Sequence, residues 1–323
     1  MGLTDLPVDK DMFQSSTRVS PLPLLHNDTY PAISASHNAS LSQAGKTVLV
    51  TGGGAGVGFM IAKQFAKAGA SRLILVGRRH DVLEKAAAEL KSENPQAVEI
   101  VHVRPLDVTH RASVAALWDW IAKERITVDV LVLGHGRPSP LQSVLDMGAD
   151  LVREMYEINV LAFMDFTEAF WKHLNSKRSE VSIASGKGPA VLINVSTAGI
   201  WDYIACGPVP VYSLTKNSGT LLLQQIAKDV DPDKLRIVSY HPGLLRTDGT
   251  KDLPFPPGFE VPWDTPELAG DFAVWMASPG AGFLHGRFVH SSWDVDVLRD
   301  GEMRERIDAD PFFLKVGVLG FHP

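Results

Sequence analysis

A single cysteine, Cys206, stands among the 323 residues. That count excludes an intramolecular disulfide framework and any zinc site built on several cysteines. No run approaches the roughly 18 apolar residues that a bilayer span needs. Long Lys/Arg runs are missing too. The densest basic spot is Arg78-Arg79-His80, and 37 acidic against 31 basic residues leave a net charge of −6. A phosphate-tracking stripe for nucleic acid is therefore excluded. The start, Met1-Gly2-Leu3-Thr4-Asp5, has an acid where a secretory signal needs bases, and Leu6 stands where a myristoylation signal needs Ser or Thr. The expected location is the cytoplasm. No HExxH motif and no His/Asp/Glu cluster at ligand spacing occurs, so no metal site is expected.

What is present is the composition of a folded domain, 45% apolar and 21% charged. Residues 1–43 are rich in Ser, Pro, Asn and Thr and read as an irregular N-terminal arm. Leu22, Leu24, Leu25, Tyr30 and Ile33 give that arm side chains to pack on the body. Short apolar runs then predict strands at 47–50, 72–76, 98–103, 128–133, 190–195, 235–240 and 286–290. Helical spacing links Ile61, Phe65 and Ala68, and recurs over 81–91, 112–123, 148–175, 211–230 and 266–277. Alternating strands and helices imply an α/β fold: one doubly wound domain over 44–323, around a central parallel sheet of about seven strands, the Rossmann arrangement. The Pro-rich stretch 253–266 is the one long irregular insertion, and such loops often form lids.

Thr51-Gly52-Gly53-Gly54-Ala55-Gly56-Val57-Gly58 lies between the first strand and the first helix. Glycines permit a sharp turn and let backbone N–H groups approach a pyrophosphate, and the helix N-terminus adds partial positive charge. A dinucleotide cofactor is expected there. An acid closing the second strand would bind the adenosine ribose hydroxyls. This chain has Gly77 followed by Arg78 and Arg79, which favours the 2′-phosphate of NADP(H) over NAD(H). Asp107 and Val108 follow the third strand. Asp107 could meet an adenine amino group or simply open the next helix, and both readings stand.

Tyr212-Ser213-Leu214-Thr215-Lys216 places a phenol and an ammonium on one helical face, four residues apart. An ammonium beside a phenol favours the phenolate and lowers the Tyr pKa from about 10. Such a tyrosine can serve as general acid toward a ketone or base toward an alcohol.

Taken in order, Thr51-Gly52-x3-Gly56-x-Gly58, Asn159, Asn194-Val195-Ser196-Thr197, Tyr212-x3-Lys216 and Pro242-Gly243-x3-Thr247 resemble the short-chain dehydrogenase/reductase family. The resemblance covers nearly all of 46–290. His26-Asn27-Asp28-Thr29-Tyr30-Pro31-Ala32-Ile33, Phe272-Ala273-Val274-Trp275 and Trp293-Asp294-Val295-Asp296 are similar to a group of fungal members, which points to fungal secondary metabolism. The resemblance implies that Tyr212 exchanges a proton with the substrate oxygen. Lys216 would hold the nicotinamide ribose hydroxyls and depress the tyrosine pKa. Asn159 would position a water linking Lys216 to solvent, unless it merely bonds a neighbouring strand. Gly52, Gly54, Gly134, Gly136, Pro242, Gly243, Leu245 and Thr247 would line the cofactor, although Thr247 could instead cap a short helix. A homodimer or homotetramer on the helices 148–175 and 211–230 is also implied, with Phe163, Phe166 and Phe170 or Leu222, Leu223 and Ile226 on their outer faces.

Two departures from the family stand out. Counting from Asn194 puts Thr197 where the family has the serine that hydrogen-bonds the substrate oxygen, with Ser196 one place earlier. Both are candidates, Thr197 by register. After the fourth strand, Leu133-Gly134-His135-Gly136 replaces the usual Asn-Asn-Ala-Gly. The substrate is expected between two loops that carry Trp201, Tyr203 and Ile204, and Leu253, Phe255, Phe259 and Trp263. Those side chains suit a bulky, mostly apolar small molecule. Hydride transfer between NADP(H) and a ketone or secondary alcohol is the leading reading. The departures leave room for dehydration, isomerisation or cyclisation without net hydride transfer. An NADP(H)-sensing binding protein is a third reading, which the intact Tyr212/Lys216 pair disfavours.

Overall fold

Strands that are apolar on both faces must be covered on both faces, which in a parallel sheet means two helical layers. The computed structural model describes residues 22–94, 100–184, 188–201, 209–247, 250 and 260–317. Within them the chain runs β1 (Thr47–Thr51), α1 (Gly56–Lys67), β2 (Arg72–Gly77), α2 (His80–Glu93), β3 (Ile100–Pro105), α3 (Arg111–Lys123) and β4 (Val130–Leu133). It continues with α4 (Val144–Tyr156), α5 (Ala162–Ala184), β5 (Ala190–Val195), α6 (Pro210–Asp229), β6 (Leu235–His241), α7 (Pro266–Met276) and β7 (Phe288–His290). All seven strands pair in parallel, in the order β3-β2-β1-β4-β5-β6-β7. The order reverses between β1 and β4, and sheets of this kind bind ligands in the crevice at the carboxyl ends there.

Side chains alternate across the sheet. Val48 and Val50 face one core with Phe65 of α1, Leu83 of α2 and Phe272 of α7. Leu49 faces the other core, with Trp118 of α3 and Phe163, Phe166 and Phe170 of α5. This corrects the expectation for the helical outer faces. The three phenylalanines are fully buried, as is Leu223. Their spacing of three and four is that of the stripe a helix turns toward its own sheet. The outward positions are Leu161, Met164, Leu214 and Leu221, and these are exposed.

The helix expected over 148–175 is three pieces. α4 is kinked at Gly148, where φ is 74°. A π-turn, Glu157–Leu161, then joins it to α5. Two short helices, α8 (Val295–Arg299) and α9 (Glu302–Ala309), follow β7. They are too short for a hydrophobic period to show. The arm from residue 22 holds no regular element beyond one 3-10 turn, Ala39–Leu41, yet Leu22 and Ile33 are buried in the first core and Leu25 and Tyr30 pack against it. Among the described residues no helix is long and apolar enough to cross a membrane.

Candidate active site

The carboxyl ends of β1, β2 and β4 open on a cavity of about 540 Å³. Gly52, Gly54, Arg78, Arg79, Asp107, Val108, Gly134 and Gly136, all anticipated, line it. Gly58 lies behind the wall, in the first turn of α1. A methyl there would sit 2.4 Å from the Gly52 carbonyl oxygen, so the loop folds back on the helix only with glycine at this place. Val57 packs beside it against the first core. Across the crevice, a methyl on Gly56 would stand 4.0 Å from Thr247 Cγ2. The glycine turn and the segment after β6 therefore flank one opening.

Charge on this wall is uneven. Arg137 pairs with Glu154, whereas among the described residues Arg78 and Arg79 are exposed and in no ion pair. Asp107 Oδ1 accepts from Thr109 N at 3.0 Å and Thr109 Oγ1 at 2.8 Å. Those bonds, with the field of Arg78, hold its carboxyl below the ordinary range. The turn before α3 is thus built by Asp107, which also lines the cavity. Ala55, within the glycine turn, lines the cavity too, as do Thr109, Arg137, Glu154 and Glu157, which carry no motif that would mark them in the sequence.

α6 carries Tyr212 and Lys216, and a methyl on Gly136, which lines the cavity, would stand 3.1 Å from Lys216 Nζ. Lys216 is buried, and its Nζ donates to Val195 O at 2.9 Å and His135 O at 3.4 Å. Burial pulls the ammonium down to about 7. Tyr212 keeps some exposed surface, but its phenol is closely hemmed in, and lost hydration pushes it up to about 12. The expected lowering of the phenol by Lys216 is not seen in this state. The ammonium is turned to strand-end carbonyls, so desolvation dominates at the tyrosine.

Asn159 stands on the π-turn, whose extra residue rotates side chains off the regular helical faces. Its Oδ1 accepts from Arg137 N at 3.1 Å, and its Nδ2 donates to Thr215 Oγ1 at 3.0 Å. Asn159 thus ties the loop after β4 to α6, not to a neighbouring strand. Ser196 and Thr197 part company. Ser196 is buried, with Oγ 2.8 Å from Thr220 Oγ1. Thr197 is partly exposed, and its Oγ1 accepts from Gly199 N at 3.3 Å. Of the two, only Thr197 keeps exposed surface.

The model of the short chain dehydrogenase family matches residues 46–255. The chain belongs to this family. It is 32% identical over 317 residues to the short chain dehydrogenase/reductase nsrO of Aspergillus novofumigatus, covering 95% of this chain and 99% of that protein. An NADP-dependent 3-hydroxy acid dehydrogenase of Schizosaccharomyces pombe is 30% identical over 205 residues, 63% of this chain and 73% of that one. Among solved structures, L-sorbose reductase from Gluconobacter frateurii, complexed with NADPH and L-sorbose, aligns with a TM-score of 0.65 at 22% identity, over 78% of this chain and 96% of that one. That likeness shows the same fold. The protein is an oxidoreductase of the short-chain dehydrogenase/reductase type, with a Rossmann sheet and fungal relatives.

In this short-chain dehydrogenase the departure at His135 is a buried brace. Thr51 Oγ1 donates to Val132 O at 3.1 Å and accepts from Gly134 N at 3.1 Å. His135 Nδ1 lies 2.7 Å from the same oxygen. The imidazole tautomer sets which of the two atoms donates. Burial and the nearby Lys216 hold the ring neutral, at about 3. Thr51 and His135 together replace the bracing side chain that the missing Asn would supply.

After β6, Pro242 and Leu245 are buried and Gly243 half-buried. Thr247 N donates to Thr250 Oγ1 at 2.8 Å, and the two hydroxyls lie 3.1 Å apart. At the substrate end Trp201 is 40% exposed and Trp263 half-buried. Tyr203 and Phe255 lie outside the described residues, as do Ile204, Leu253 and Phe259. Sequence reasoning missed His241 and His290. They close β6 and β7, are buried, and meet edge-on with ring centroids 5.1 Å apart. Among the described residues, both nitrogens of His241, Nδ1 of His290 and Oγ of Ser291 have no hydrogen bond. Burial holds His241 at about 4. The ring of Trp201 lies 6.4 Å from that of His290. A lone histidine before Pro242 was the only sequence signal, and spacing gave it no partner.

Proposed function

We propose that this protein transfers hydride between NADP(H) and a ketone or secondary alcohol on a bulky, mostly apolar substrate of fungal secondary metabolism. The observation that carries this reading is the pair Arg78 and Arg79, exposed and, among the described residues, in no ion pair, on the wall of a cavity opened by a glycine turn. Guanidinium groups there suit a 2′-phosphate, and the packing at Gly58 suits a close-lying pyrophosphate. The NADP-dependent fission-yeast relative and the NADPH-complexed sorbose reductase point the same way. When bound, the reduced nicotinamide supplies the hydride. Gly52, Gly54, Gly134, Gly136, Gly243, Leu245 and Thr247 would line it, and Lys216 would hold its ribose hydroxyls.

The chain's own groups then handle the proton. Tyr212 holds its phenol proton firmly and delivers it to the carbonyl oxygen. Thr197 donates a hydrogen bond to that oxygen. Trp201 and Trp263 cover the apolar body of the substrate, with Tyr203 and Phe255 assigned there by sequence. The neutral, buried His135 leaves the non-redox reading with less support. The exposed Leu161, Met164, Leu214 and Leu221 support a homodimer or homotetramer on α5 and α6, and we place the protein in the cytoplasm.

Loss of reduced-nicotinamide absorbance with a panel of bulky ketones tests the reaction. Turnover is expected with NADPH ahead of NADH, and no turnover with any ketone would overturn the reading. Arg78→Ala should weaken NADPH by one to two decades and leave NADH nearly unchanged, since a charge-assisted hydrogen bond contributes roughly 1.5–3 kcal/mol. Equal losses for both cofactors would make Arg78 structural. Thr197→Val preserves shape and removes the donor, so it should slow the hydride step by about 10²-fold or more. Ser196→Ala should be mild in kinetics and instead lower the melting temperature, because Ser196 is committed to Thr220. The reverse order would reassign the hydroxyl.

A further inference from the structure

Residues 26–29 of the irregular arm lie near the loop proposed to cradle the nicotinamide and bond the segments that flank it. His26 N donates to Ser292 O at 2.7 Å, and its Nε2 lies 2.8 Å from Asp294 Oδ2. Its ring stacks on Tyr30 with centroids 3.7 Å apart. Tyr30 OH donates to Trp293 O at 3.1 Å and accepts from Val295 N at 2.9 Å. These bonds fix the arm to the segment after β7. The next two residues then reach the start of α7. Thr265 N donates to Asn27 O at 2.9 Å, and Thr265 Oγ1 donates to Asp28 Oδ1 at 2.7 Å. Thr265 is also the N-cap of α7, accepting from Leu268 N. Thr29 adds a bond from its Oγ1 to Asp271 Oδ2 within α7, at 2.6 Å.

The neighbour of Thr265 completes a relay. Asp264 N donates to Leu244 O at 2.9 Å, and Leu244 N donates to Asp264 Oδ2 at 2.7 Å. A methyl on Gly243 would meet that carboxylate oxygen at 2.5 Å, so Asp264 lies directly on the loop. A polar-walled cavity of about 230 Å³, bounded by His26, Asn27, Leu244, Asp264 and Ser292, separates arm and loop. Among the described residues, the hydrogen bonds that join them run through 264–265.

We infer that Asn27 and Asp28 are positioning residues for the nicotinamide loop, acting through Thr265 and Asp264 on the backbone of Leu244. The inference rests on the cofactor reading above. It gives the arm a task in binding one half of the cofactor only. The adenosine half would lie against Gly54, Arg78 and Asp107, to which no described residue of the arm is hydrogen-bonded.

Equilibrium binding of NADPH and of adenosine 2′,5′-bisphosphate to the full chain tests it, with a thermal melt alongside. Asp28 is exposed, so Asp28→Ala should fold. That variant should weaken NADPH by about 3–10-fold, the worth of one hydrogen bond, and leave the bisphosphate unchanged. Asp28→Asn keeps the acceptor oxygen and should restore NADPH binding. Asp264→Ala should have the larger effect, and adding Asp28→Ala to it should change little more, because both act on one path. Equal loss of both ligands, loss of neither, or additive effects in the double variant would overturn the inference. If the wild-type chain binds neither NADPH nor the bisphosphate, the cofactor reading fails first and takes the inference with it.

Discussion

Tyr212→Phe is expected to lower turnover of a ketone substrate by about 10²–10⁴-fold, the usual size of a general-acid contribution. The variant keeps the ring and loses one oxygen. Packing on α6 should survive, so the melting temperature should move little and NADPH should bind nearly as before. The phenol suits the task in the reducing direction because lost hydration, which pushes it up to about 12, keeps it protonated at any ordinary pH. The same burial makes it a poor base until something favours the phenolate. Rising pH does so by populating the phenolate. Alcohol oxidation should therefore rise with pH more steeply than ketone reduction. Retained reduction in the phenylalanine variant would remove Tyr212 from its role, whatever else the site contains.

The parallel sheet was legible because each strand is an apolar run bounded by turn residues, and β5 begins and ends where its pattern does. The glycine turn was legible through its place between β1 and α1. What escaped was whatever depends on residues distant in sequence. Nothing local tells Phe163 that α3 and β1 lie beneath it. A stripe spaced by three and four fits an assembly face and a core face equally well until the sheet is placed. His241 and His290 are 49 positions apart in the chain and adjacent only through β6–β7 register. The arm was legible as apolar enough to pack, but its route to Leu244 runs through Asp28, Thr265 and Asp264, which no local spacing joins. His135 reads from its motif as a departure. Only the bond to Thr51 shows what replaced the missing Asn.

Lys216→Met should lower catalysis by about 10²–10³-fold, the scale for removing one electrostatic contact at a developing charge, while making the cofactor-free protein more stable. The two signs follow from one observation. Burial holds the Lys216 ammonium at about 7 against an ordinary 10.5. Between those values the unfolded chain binds more protons at this side chain than the folded chain does, so stability rises with pH across the window. Below about 7 the lysine is charged in both states, and the folded protein bears the whole desolvation penalty. Above 10.5 it is neutral in both, and the penalty is gone. Methionine fills the same volume beside Phe163 without charge, so near pH 6 the variant should gain about 1–4 kcal/mol, the range for replacing buried charge by apolar packing. The bonds to Val195 O and His135 O offset part of that gain, which places the expectation toward the lower end. Denaturant melts of both proteins at about pH 6 and pH 10 should show the difference shrinking as pH rises. A variant no more stable than wild type at low pH would mean that the two carbonyls fully compensate the buried ammonium. A variant that keeps its turnover would remove Lys216 from the reaction.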